Sequence, residues 1–417
     1  MGEPVAPPAP SRVGRRRLMT VGVAVTAAVV VGVVWWARDK PSADPTLAEL
    51  QAARADLAAS RLPDAQRRLR AVLAQWPLDA ETHFLLARAC RRADDLAGWQ
   101  DHLRAAEVLQ WSAADIDRER VLADAQTGHF SRAERELDPS GDAGDDWTLA
   151  AEALLKGSLV TYRLDELLTS AQSWIDRRPD DWVPYYHRGD TFRYARLMAR
   201  AADDYRRVLE RYPDHPLARL RLAGVLMVDG RFEEARQEFE AYLTGHPVNP
   251  EALAGLANCQ FNLSQPEGAR ATLDRLFAVR PDDPAGCYLR AQLDLQSDPQ
   301  SALEWLARAE RKAPRETDIT SALIRALTQL GRHDDAACYQ HRLEDLRTEF
   351  LALDDARRAV RRDPDNPALR FDAGERCVRL GRDQEAANWF NSVLALDPGH
   401  AVARRALADL AGRPAAK

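Results

Sequence analysis

Lysine is nearly absent from this chain of 417 residues: its 58 basic side chains are 54 arginines and 4 lysines. The arginines run evenly from end to end. The excess therefore reads as a compositional habit rather than a phosphate-binding patch, and a formal net charge of −6 disfavours nucleic acid as a ligand. Cysteine is scarce too. Cys90, Cys259, Cys287, Cys338 and Cys377 form no C-x-x-C pair, no haem-attachment C-x-x-C-H and no lipid-modification site, and read as small buried hydrophobes. His333, Cys338 and His341 lie close in sequence, but their offsets do not bring all three onto one helical face, so no metal is expected. There is no H-E-x-x-H, no G-x-S-x-G and no phosphate-cradling glycine-rich loop. These absences leave nowhere for a catalytic domain; neither catalytic residue nor cofactor is expected. The pairs Asp94-Asp95, Asp145-Asp146 and Asp180-Asp181 sit before apolar helical stretches, where carboxylates cap exposed N–H groups and oppose the helix dipole.

What the chain does have is a proline clock. Pro179, Pro213, Pro247, Pro281, Pro314, Pro364 and Pro398 are separated by 34, 34, 34, 33, 50 and 34 residues, and Pro77 joins them in phase upstream. A proline recurring at that interval is a repeat signature. Counting the third residue after each proline as position 1, position 8 is small: Ala53, Ala87, Gly189, Ala223, Ala257, Ala291 and Gly374. Position 20 is alanine at Ala65, Ala133, Ala201, Ala235, Ala269, Ala336 and Ala386, with Ala302 one place early in the 33-residue unit. Gly128, Gly230, Gly331 and Gly381 stand at position 15, where a helix must end and turn back. Tyr205, Phe239 and Phe390 follow the alanine by four residues and can fill the gap against a neighbouring helix.

In these residues the chain resembles the tetratricopeptide repeat (TPR) family over about residues 46–400, most clearly from Trp182 to Pro281 and from Pro367 to Pro398. It departs from the family in places. The units starting near Ala114 and Thr148 have Trp111 and Asp145 where the preceding proline belongs, the second has no small residue at position 8, and the family's tryptophan at position 4 is replaced by residues such as His83, Tyr185 and Leu253. The resemblance implies an all-α fold: an α-solenoid of about ten helix pairs, each too small to bury its own apolar face and stabilised by stacking on the next. The composition, rich in Ala, Leu and Arg with almost no β-branched alternation, agrees. Residues 401–417 read as a capping helix and tail, with Val402, Ala406, Leu407 and Leu410 covering the open end.

Residues 18–37 contain no charge, and as a helix span about 30 Å, the thickness of a bilayer core. Arg15, Arg16 and Arg17 abut one edge and Trp35 and Trp36 the other, as expected of a membrane-spanning signal anchor. A cleaved export signal, including a twin-arginine type, is the alternative; the run is long for one and closes without a small-x-small site. Residues 1–17 read as a basic cytosolic tail and 38–45 as a linker, so positive-inside topology puts the repeats on the outer, periplasmic side of a bacterial-type inner membrane.

In the family the concave face is lined by positions 2, 5, 6, 9, 12 and 13 of each first helix. The best repeats carry Tyr186, His187, Asp190, Arg193 and Tyr194 there, then Leu220, Arg221 and Met227. The next two add Asn258, Phe261, Asn262, Tyr288, Gln292 and Gln296. Asn258 and Asn262 share a helix face, and an amide can bond both N–H and C=O of an extended peptide. The charged clamp by which some members hold a C-terminal carboxylate is not found, and there is no C-terminal metal knuckle of the rubredoxin-like kind that one anchored type carries. Between Ala336 and Pro364 there are 16 extra residues, within which Tyr339, Leu343, Leu346, Phe350 and Leu353 make a helical stripe. This predicts an irregular unit at 317–366 with an overlong second helix, or an added one. Leu343, Leu346, Phe350 and Leu353 would then offer a second interface for self-association or a partner, unless they pack on the last repeat.

The sequence therefore points to a membrane-anchored scaffold that binds proteins or peptides and assists assembly, translocation or maturation of envelope proteins. The alternatives are a cytosol-facing regulatory adaptor and an accessory subunit of a multi-component enzyme.

Overall fold

The computed structural model describes residues 44–130, 132–133, 145–215 and 217–412. The expected tail, anchor and linker lie outside them, save the last two linker residues. Among the described residues no helix is long and apolar enough to cross a membrane.

The described residues are helical apart from the turns and fall into two compact units divided between Asp117 and Arg118. In the first, α1 (Asp44–Ala58) pairs with α2 (Leu62–Gln75) and α3 (Ala80–Arg92) with α4 (Leu96–Val108). Ala53, Ala65, Leu69, Leu86, Ala87 and Ala106 form the centre of its core, with no exposure at all. α5 (Ala113–Gln126) crosses the boundary between the units.

The second unit continues with pairs joined by short turns: α6 (Asp145–Val160) with α7 (Leu164–Arg177), α8 (Val183–Tyr194) with α9 (Met198–Arg211), and α10 (Ala218–Val228) with α11 (Phe232–Gly245). Then come α12 (Pro250–Asn262) with α13 (Pro266–Val279), α14 (Pro284–Asp294) with α15 (Pro299–Lys312), and α16 (Thr317–Gln329) with α17 (His333–Arg362). α18 (Pro367–Arg379) with α19 (Asp383–Leu396) is the last pair, and α20 (Ala401–Ala411) covers it.

The repeat register explains the packing. Every alanine at position 20 is buried, and the small residue at position 8 is where the two helices of a pair touch. A Cβ built on Gly189 would sit 3.2 Å from the Tyr205 ring, and one on Gly374 2.5 Å from Phe390, so the glycine is what lets the position-24 aromatic lie flat against the first helix. α6, which lacks a small residue at position 8, uses Gly157 two places later: a Cβ there would be 1.9 Å from the Ala125 carbonyl. The four position-15 glycines all have positive φ, from 70° to 91°. Ser60, Asp94, Tyr162, Arg196 and Ser264 occupy the same position with φ between 53° and 62°, a left-handed conformation that is costly for side chains of this size.

Arginine has a structural use that its even distribution concealed. Arg275, Arg308 and Arg342, on the second helices of successive repeats, each donate to the carbonyl of the closing proline one repeat back: Pro247, Pro281 and Pro314. Position 4 does the same from the other side. His83 Nε2 donates to Pro77 (3.0 Å), the Tyr185 hydroxyl to Pro179 (3.2 Å), Arg370 Nε to Pro364 (2.7 Å) and Arg404 to Pro398 (2.6 Å). A proline turn has no N–H to offer, and its carbonyl is satisfied from the next repeat. Burial and the Arg163 charge lower the pKa of the fully enclosed Arg370 to about 10.

Three expectations are corrected. α17 is one continuous helix of 30 residues, the overlong second helix of the two forms expected, but its stripe is not the open interface expected. Leu343, Leu346 and Leu353 are buried, and Phe350 packs with the core of the last pair, because the extra turns lie along α18. In α20 the residue that seals the end is Ala403, fully buried, while Val402 is exposed. Of the cysteines, Cys338 is exposed, on the outward side of α17; the other four are buried.

Candidate functional site

First helices of successive pairs touch one another, α6 with α8, α10 with α12 and α12 with α14, so these helices form the inner wall of the second unit. The wall is closed from its far end. α19 packs on α6, the Trp389 indole lies parallel to the Tyr162 ring (centroids 3.6 Å apart, planes within 5°), and Arg163 makes an ion pair with Asp365 at 2.7 Å. The last pair thus returns to the repeat of residues 145–177. Burial beside Glu385 drives the Tyr162 hydroxyl pKa upward, so the ring is neutral when it stacks.

Closure shapes a partly open cavity of about 560 Å³. Arg193, Tyr194, Arg196, Leu220, Arg221 and Met227 line it from the α8 and α10 repeats, and Arg357, Val360, Arg361, Arg382, Glu385 and Trp389 from the C-terminal repeats. A second cavity of about 470 Å³ continues along the wall, lined by Asn258, Tyr288, Ala254 and Asp283 among others. The two share Leu220, Gly224, Met227 and Glu251. Gly224 stands in the middle of α10, and a Cβ built on it meets nothing within 4 Å: the helix faces open space there.

A buried polar network supports the wall. Asp190 Oδ1 accepts from the Tyr205 hydroxyl (2.7 Å) and from Arg193 (3.2 Å). Burial is the largest influence and works against the Arg193 and Arg221 charges, but Asp190 and the neighbouring tyrosines together outweigh it and both pKa values are raised. Tyr186 is pushed up to about 12 by burial and by Asp190. His215 caps α10, its Nδ1 accepting from the N–H groups of Leu217 and Ala218, and burial together with His187 lowers its pKa to about 4. On the opposite wall, burial works against ionisation of Glu385, but the bond from Arg357 and the charge of Arg382 outweigh it and hold the carboxyl below its usual range.

The expected groove residues thus divide. Arg193, Tyr194, Leu220, Arg221 and Met227 come together in the larger cavity, and Asn258 and Tyr288 in the smaller. His187 and Asp190 are buried behind the wall, and Phe261 packs on the core. Asn262 donates to Asn258 Oδ1 at 2.9 Å, so the two amides engage each other, and the Gln292 carbonyl accepts from Arg325; Gln296 lies outside both cavities. Tyr162, Arg357, Arg361, Arg382 and Trp389 were not anticipated. Tyr162 and Arg196 carried a readable signal, as the bulkiest residues at position 15, where the chain must turn left-handed.

Sequence profiles described as tetratricopeptide repeat match residues 50–111, 186–250, 229–293 and 351–401. Together these segments cover just over half of the chain, which belongs to the tetratricopeptide repeat family. DnaJ homolog subfamily C member 3 of Homo sapiens is 24% identical over 262 residues, 58% of this chain and 51% of the relative. The Gallus gallus protein of that name is 22% identical over 271 residues, again 58% of this chain and 50% of the relative. The chain spans about half the length of the curated relatives it matches. Among solved structures, a tetratricopeptide repeat protein from Parabacteroides merdae aligns at 16% identity over 68% of this chain and 100% of its own, with a TM-score of 0.36. Arrays of this family are interaction scaffolds whose function lies in an extended surface.

Proposed function

We propose that the protein captures an extended peptide segment of a partner along the inner wall formed by α8, α10, α12 and α14. The observation that carries this reading is the run of two adjoining cavities sharing Gly224 and lined by side chains of those first helices. Exposed Tyr194 and half-buried Tyr288 supply anchoring area, and Asn258 supplies an amide for a peptide backbone. Residues 18–37 hold this array to a membrane, with the N-terminus in the cytosol and the repeats outside, where it assists assembly, translocation or maturation of envelope proteins. The apolar run and its flanking arginines and tryptophans support that placement.

Changing Tyr194, Asn258 and Tyr288 together to alanine, followed by partner capture and circular dichroism, tests the wall. Capture should be lost with helicity kept; capture at the original level would place binding elsewhere. A reporter fused at Lys417 tests the side of the membrane, and activity in the cytosol would favour a regulatory adaptor.

A further inference from the structure

The two ends of the binding wall differ in charge. Six arginines line the larger cavity against two glutamates, Glu251 and Glu385, in a chain whose overall charge is −6. Three of the six make no ion pair among the described residues, although the Asp190 charge reaches Arg221 at longer range. Arg193 is held by Asp190, and Arg357 and Arg382 by Glu385. Among the described residues, Arg196 and Arg361 have no acidic partner within ion-pair distance, and the Arg221 Nε–H is buried with no acceptor. Arg196 and Arg361 are exposed at the rim and Arg221 is half-buried; positive charges gathered around a concave, partly apolar site focus the field there and attract anions. Beside these arginines lie Tyr194 and Val228, 50% and 56% exposed, together with Met198 and Met227. Exposed apolar surface inside a cavity is a place for a side chain.

We infer that the larger cavity receives an acidic stretch of the partner peptide, carboxylates on Arg196, Arg221 and Arg361 and one aromatic or large aliphatic residue against Tyr194, Met198 and Met227. The inference rests on the peptide-capture reading and names the chemistry of what is captured. A peptide fits better than a free phosphate because the cavity opens directly into the Asn258 and Tyr288 end, and an extended chain fills both. The site is composite. Arg361 and Trp389 come from the C-terminal repeats and Arg196 and Arg221 from the α8 and α10 repeats, so it exists only while the last pair is folded back onto Tyr162.

The test is selection of a random twelve-residue peptide library on the full-length protein in detergent, with selected peptides synthesised, labelled and titrated by fluorescence anisotropy. Enrichment of Asp and Glu around one aromatic or large aliphatic residue is expected. Affinity should fall about tenfold or more in Arg196→Glu with Arg361→Glu, and weaken steadily with salt. It should be abolished in Gly224→Trp, which fills the shared opening; circular dichroism checks that each variant is folded. Uncharged or basic selected peptides that Gly224→Trp still blocks would overturn the acidic assignment and leave peptide capture standing. Binding indifferent to Gly224→Trp would overturn both. An empty selection, or displacement of every peptide by tripolyphosphate or heparin at equal charge concentration, would mark a general anion site and refute the peptide assignment.

Discussion

The repeats from α8 to α13 and the C-terminal stretch from α17 to α20 use the same unit but are held by different means. In the first region each contact is local and recurs: a small residue at position 8, alanine at 20 and a large apolar residue at 24, as in Gly189, Ala201 and Tyr205. In the second the same rule holds Gly374, Ala386 and Phe390 together, but Trp389, part of that core, also stacks on Tyr162 of a distant repeat, and α17 runs about four turns beyond an ordinary second helix. The comparison teaches that the regular rule stacks repeats, while unrepeated residues return the array onto itself and create a cavity.

The sharpest way to break that comparison is Trp389→Ala. The side chain is 1% exposed and serves both its own core and the closure, so a loss of about 3–5 kcal/mol is expected in denaturant unfolding. Tyr162→Phe, which keeps the stacked ring, should cost far less. Leu353→Ala comes next. It is fully buried within the core of the last pair and should cost about 3 kcal/mol, with the C-terminal repeats melting before the rest. A free stripe would instead tolerate the change.

The third prediction concerns pH and the regular region. The folded pKa of His215, about 4, lies below its ordinary value of 6.5, so its contribution is fully present above pH 6.5 and is lost as pH falls from there towards 4. Up to about 3 kcal/mol should disappear over that window, at about 1.4 kcal/mol per pH unit. His215→Asn keeps a capping acceptor without the titration, and should flatten that part of the stability profile. Smallest, and of opposite sign, are two glycine changes. Gly224→Ala should stabilise by about 0.5–1 kcal/mol, since a helix-interior glycine gains a side chain that meets nothing, whereas Gly374→Ala should destabilise by driving a Cβ into Phe390. Melting temperatures of the pair check both signs.

The regular region was almost wholly legible. The proline interval placed the turns, and positions 8, 15, 20 and 24 placed the core, because each repeats the same local geometry. The groove positions located Arg193, Tyr194 and Arg221 because the wall is built from equivalent first-helix sites. The closing face was not legible. Tyr162 and Trp389 lie on repeats distant in sequence, and no periodicity links one stacked pair of rings. The arginines were read as a uniform habit, although the fold spends some on proline carbonyls and gathers others around one cavity. The α17 stripe was visible, but whether it met solvent or core depended on the return of α18, which no local pattern encodes.

The closure is the claim on which the composite site depends, and a single distance tests it. Spin labels at Asp165→Cys and Asp363→Cys, exposed positions two residues from the Arg163–Asp365 ion pair, in a Cys338→Ser background that removes the exposed native thiol, report that distance by pulsed electron resonance. One short, narrow distance distribution that Trp389→Ala broadens is expected; a long or broad distribution in the parent, unchanged by Trp389→Ala, would contradict the closure.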